Sequence, residues 1–128
     1  MTHSLSHYIS GSPDVDTLGQ KYGDKLQKMS MAEKLLLIKS ISGALMETLL
    51  CPDFNPSIDG EIGSNIREGY DVSNDLRESL KTLDACDETQ FFALLTALVA
   101  YVSEDFLRFG SMEDVVEHAG GSEIRWLH

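Results

Sequence analysis

The stretch from Asp87 to Phe109 constrains this chain more than any other. From Thr89 to Ser103 it carries no charged residue. It opens on Asp87 with Gln90 three residues later, a pair that satisfies the first free N–H groups of a helix. Phe91, Phe92, Leu95, Leu98, Val99, Val102, Phe106 and Phe109 then recur at steps of three and four. The side opposite them is small rather than polar: Ala93, Ala97 and Ala100. A helix apolar on nearly every side is ordinarily buried by its neighbours. The expectation is an all-α, compact bundle of about five helices around a central apolar helix over about 88–109.

Four other segments carry helical period and caps. Ser12-Pro13 opens one whose stripe is Val15, Leu18, Tyr22, Leu26 and Met29, with Asp14 and Asp16 at its start and Lys25 and Lys28 at its end, as the helix dipole favours. Ser30 and Glu33 form a capping box for a second, running to about Leu50. Leu35, Ile38, Ile41, Leu45, Met46 and Leu49 are its expected inward stripe, with Leu36 and Leu50 interrupting the polar face. A third spans about Ile62–Leu83, with Gly69 a point at which it could divide. The last opens at Ser111 with Asp114 and should end at Gly120-Gly121. Ile124 and Trp126 alternate with charges in a short extended tail. Residues 1–12 read as a flexible tail and 13–128 as a single helical domain.

The charge is unevenly placed. Residues 1–50 hold five acids and five lysines, so the whole formal charge of −11 lies in 51–128. Phosphate-bearing partners need Lys or Arg to neutralise them, so direct nucleic-acid binding and anionic membrane binding are not expected. A protein partner with a basic surface is favoured instead. No apolar run in the sequence reaches the ~20 residues of a membrane span, and Met1–Ser12 lacks the pattern of a secretory signal. With only Cys51 and Cys86, reduced thiols and a cytoplasmic location are expected.

Several residues and groups suggest sites. Glu68, Asp71, Asp75 and Glu78 would share one helix face, a charge for roughly every 5 Å of axis. With the acids that follow, the face over 68–88 could imitate DNA, against the plainer reading of a solvated surface. Asn55, Ser57, Asp59 and Gly60 fit positions 1, 3, 5 and 6 of a calcium loop, and 53–66 thus resembles part of an EF-hand. Position 12 is Ile66, so the closing bidentate carboxylate is missing. Trp126, the one tryptophan, is either a plug for the tail or an interface anchor. The Lys21, Lys25, Lys28 row could meet acids of a second copy or complement a helix end. His3 and His7 stand four apart and would approach each other only in a helical segment.

Neither a phosphate-binding Gly loop nor a nucleophile elbow occurs, and Asp105 is the one acid near an inward position. The expectation is a non-catalytic protein, without cofactor or resident metal, that acts by binding a protein partner. Inhibitors, immunity proteins, adaptors and small chaperones are examples of that class. Self-association is a further expectation, because Leu36, Leu50 and the alanine side exceed what one copy covers.

Overall fold

The computed structural model describes residues 2–114 and the backbone of 124–126. The elements run α1 (Leu5–Tyr8), α2 (Pro13–Tyr22), α3 (Met31–Leu50), α4 (Ile58–Arg67), β1 (Tyr70–Val72), α5 (Asn74–Lys81), a 3-10 turn (Thr82–Ala85), α6 (Glu88–Phe109) and β2 (Ile124–Trp126). The molecule is an all-α bundle, with one small two-stranded ribbon among the described residues.

Side-chain caps start the longer helices. Ser12, Ser57 and Ser73 each accept an N–H of the first turn with the hydroxyl oxygen. Ser30 Oγ accepts the Glu33 N–H at 3.1 Å while the Glu33 carboxylate accepts the Ser30 N–H at 2.6 Å. Asp87 and Gln90 form the same reciprocal box for α6, at 2.8 and 2.9 Å. Gly110, at φ +85°, closes that helix in the left-handed conformation that glycine adopts without a Cβ clash. The last expected helix starts as read, with the Asp114 N–H donating to Ser111 Oγ, and its body lies outside the described residues.

α3 lies between α6 and α4. Leu37 and Ile41 of α3 meet Leu94, Ala97, Leu98 and Tyr101 of α6, Ile58 and Ile62 of α4, and Leu76, Leu80 and Leu83 of the following segment in one core. The N-terminal end of α3 lies against the C-terminal end of α6, where the Lys34 ammonium, 2% exposed, holds Asp105 at 2.5 Å.

Four features differ from the sequence reading. Residues 1–12 are not a free tail over their whole length, because Leu5 and Ile9 are in the core and the Tyr101 hydroxyl donates to the His3 carbonyl at 2.8 Å. α2 stops at Tyr22, since Gly23 at φ +101° leaves helical space. Leu26 and Met29 reach the core from a loop, so Lys25 and Lys28 are not at a helix end. The segment Ile62–Leu83 is not one helix but falls in α4, β1, α5 and the 3-10 turn. It begins earlier, at the Ser57 cap, breaks at Gly69 (φ +116°), and restarts at the Ser73 cap. Between the breaks, β1 pairs antiparallel with β2, placing Tyr70 opposite Trp126, Asp71 opposite Arg125 and Val72 opposite Ile124. The expected extended tail is thus a strand over Ile124–Trp126.

The fourth difference concerns α6, which forms a wall of the bundle rather than its centre. Its buried side is Leu94, Ala97, Leu98 and Tyr101, and Phe92, Val99 and Phe106 point outward. α3 is turned in the same way: Leu36, Leu37, Ser40, Ile41 and Ala44 are buried, and Leu35, Met46 and Leu49 are exposed. The cause is common to both. A helix apolar on nearly every side leaves the inward face to be chosen by fit to its neighbours rather than by polarity. α6 is, among the described residues, the one helix long and apolar enough in composition to cross a membrane. That revises the sequence expectation on span length. In this fold its inner side joins the common core, and Asp105 and Tyr101 tie it to α3 and to the chain before α1.

Candidate interaction surface

The acidic residues singled out in the sequence do not form one helical ridge. Glu68 follows the end of α4, Asp71 lies in β1, and Asp75 and Glu78 lie in α5. All four are exposed. Two of them meet lysines: Asp75 pairs with Lys21 at 2.9 Å, and Glu68 with Lys39 at 3.5 Å. Lys21 of the basic row therefore finds its acid within the same chain, and that contact raises its proton affinity. Trp126 pairs through its backbone with Tyr70, and its side chain lies outside the described residues.

The 53–66 loop spends its oxygens internally. Ser57 Oγ accepts the Gly60 N–H at 2.9 Å as the α4 cap. Asp59 takes the Arg77 guanidinium at 2.7 Å, which holds the Asp59 carboxyl below its usual range. The Asp84 carboxylate accepts the Ile58 N–H at 2.5 Å and the Asp59 N–H at 3.5 Å, at the positive end of α4. Two of the four candidate calcium positions are thus committed to bonds inside the fold. Among the described residues no group of three or more His, Cys, Asp and Glu converges on one point.

Other titratable groups are tied to packing. Glu61 of α4 lies over Gly43 of α3, where a Cβ would meet its Oε2 at 2.8 Å. Burial first, then the hydrogen bond and charge of Glu47, push the Glu61 carboxyl up to about 7, with Lys39 opposing. His3 and His7 stack with ring centroids 3.8 Å apart, because the Leu5–Tyr8 turn is helical. Cys51 is exposed and Cys86 buried, and both are free thiols. Burial raises the Cys86 thiol.

Two cavities lie along α3. One, of about 240 Å³, is bounded by Ala32, Leu35, Leu36, Lys39, Asn65 and Tyr70. It is small beside the roughly 300–1,000 Å³ of ordinary ligand sites. Its Lys39 ammonium already donates to Asn65 Oδ1 at 2.6 Å. The other is an open groove of about 520 Å³ between α3 and α6, bounded by Met31, Leu35, Val102, Ser103, Phe106, Leu107 and Met112.

That groove is one end of a longer, mainly apolar surface. By helical spacing, Leu35, Ser42, Met46 and Leu49 fall on one outward line of α3, and Phe92, Val99 and Phe106 on one line of α6. Leu49 is 81% exposed, Phe92 59%, Met46 55% and Val99 53%. Ile38, Leu45 and Leu95 are partly buried against the core. Isolated exposed apolar residues are ordinary, but a run along the two longest helices is the kind of patch that marks an interaction site. The sequence reading placed most of these side chains in the core. The signal that could have found the surface was the excess of apolar positions on both helices over what one face can bury.

No family model matches this chain, and no curated protein or solved structure resembles it at a significant level.

Proposed function

We propose that this chain is a non-catalytic, cytoplasmic binding protein that docks a protein partner on the outward face of α3 and α6. One observation carries the reading: Leu35, Met46, Leu49, Phe92, Val99 and Phe106 present a run of exposed apolar side chains on the two longest helices. Burying such surface is the main source of association free energy, at about 25 cal/mol per Å² before the costs of docking are subtracted. The acids of 51–128 keep the molecule soluble and oppose contact with phosphate backbones, and a partner with basic groups around its contact patch gains from their field. Two free thiols suit a reducing compartment. The acids give less support to DNA mimicry, since Glu68, Asp71, Asp75 and Glu78 fall on three separate segments and two are countered by lysines.

The test uses the full chain on a resin, exposed to an extract of its source cells. A partner retained by the wild type should be lost from Val99→Glu and Met46→Glu, and kept by the double variant Asp71→Asn/Glu78→Gln. Retention that ignores both apolar variants and disappears with the acids would overturn the reading.

A further inference from the structure

We infer that the occupant of the α3–α6 face is a second copy of this chain, so that two copies join their α3–α6 layers across a two-fold axis. The inference rests on the docking face proposed above and names what sits on it.

The exposed area is large enough for such a contact. Taking roughly 200 Å² for a large side chain fully in the open, the fractional exposures of Leu35, Met46, Leu49, Phe92, Val99 and Phe106 leave on the order of 600 Å² of apolar surface. Ser42, Thr96 and Ser103 lie exposed among them. The whole is close to the ~800 Å² that each side contributes to a stable interface. α3 has 20 residues and α6 has 22, so each offers an edge of roughly 30 Å. Paired with its own image, such a layer makes four helices around one mainly apolar centre, and a two-fold contact needs only that the patch complement itself. Large outward side chains spaced by the shorter Ser42, Thr96 and Ser103 provide the ridges and hollows for that. Covering Thr96 strands no donor, because its hydroxyl already donates to the Phe92 carbonyl at 3.0 Å.

The placement of charge also favours a second copy on this face. Each copy carries −11, so two copies repel on most approaches. The outward line of α6 is uncharged from Phe92 through Phe106, with Glu88 at the start of the helix. That of α3 carries one charge, Lys39, between Leu35 and Ser42, and its ammonium is turned to Asn65 and Glu68. On this face a second copy therefore meets few charges, whereas the basic groups of another partner would have to find their acids outside it.

A dimer of this kind should respond to salt in an unusual direction. Screening removes the repulsion between like-charged copies, so association should tighten as ionic strength rises, where a basic partner's binding would weaken. Sedimentation of the full chain from about 1 to 200 µM, at about 20 mM and 0.5 M salt, should show a concentration-dependent dimer. Its dissociation constant should fall at least about threefold in the higher salt. Val99→Glu and Leu49→Glu should be monomeric over the same range with unchanged helical circular dichroism. A wild type that stays monomeric in both salts, or a dimer that survives in both variants, overturns the inference. A monomer whose partner retention still depends on Val99 removes the second copy alone and leaves the docking face standing. A monomer with no such retention removes both.

Discussion

Glu61 shows how a single residue carries the geometry of two helices. It is held against α3 at Gly43 and beside Glu47, and its carboxyl is pushed up to about 7 from an ordinary 4.5. The folded state therefore binds this proton more tightly than the unfolded chain does. Between about pH 4.5 and 7 the native protein holds the extra proton, and its stability must fall as pH rises through that window. Above pH 7 the full cost is present, on the order of 1–2 kcal/mol once screening of a part-buried pair is allowed for. Glu61→Gln keeps the shape and removes the titration. We expect it to raise the urea midpoint at pH 8 and to change it little at pH 4.5. A wild type whose stability climbs steadily from pH 4.5 to 8, with Glu61→Gln following in parallel, would contradict this account. At the same position, Gly43→Ala should be close to neutral, because the roughly 1 kcal/mol gained in helix propensity is offset by the shift the added methyl forces on the Glu61 carboxylate.

At the scale of elements, the joint between α3 and α6 depends on Lys34 and Asp105. Lys34 is 2% exposed and has Asp105 as its acid, and Arg108 meets the same carboxylate at 3.3 Å. Asp105→Ala leaves an ammonium buried without its counter-ion, which costs about 3–4 kcal/mol. Lys34→Met with Asp105→Leu removes both charges and should recover most of that loss in a thermal melt, since a buried pair gives little net stabilisation over apolar packing of similar size. Little of this joint could be read in the sequence. Asp105 stood out as the one acid near an inward position, but nothing in the sequence singled out Lys34 as its partner. The helix starts at Ser12, Ser30 and Asp87 were legible, because a cap is a local bond between residues three apart. The facing of α3 and α6 was not, because apolar residues surround both helices and period alone cannot rank their sides. Nor was β1, whose partner strand lies more than fifty residues later, and only the interruption at Gly69 hinted at it.

For the molecule as a whole, the opposing terms are a formal charge of −11 and a small set of ion pairs. Five pairs join described residues, and apart from those of Asp105 and Asp59 they lie in solvent. Exposed pairs contribute roughly 0–1 kcal/mol each, and salt weakens them. Self-repulsion of the remaining acids is screened by the same salt, and that effect has the opposite sign. The acids outnumber the bases by 21 to 10, so relief of repulsion should win over loss of pairing. The melting temperature should therefore rise between about 20 mM and 0.5 M of a weakly interacting salt, by a few degrees for a domain of this size. The effect has to be separated from dimer formation, which salt also favours. Val99→Glu, melted at a few micromolar and at tenfold higher concentration, makes that separation. Its melting temperature should rise with salt and stay fixed with concentration, whereas the wild type should gain from both. A fall with salt in Val99→Glu would mean that the ion pairs around Lys21, Lys39 and Arg77 outweigh the repulsion. The acidity of 51–128 would then be compensated within the fold rather than left as an outward field, and the charge argument for which surface a second copy can approach would lose its basis.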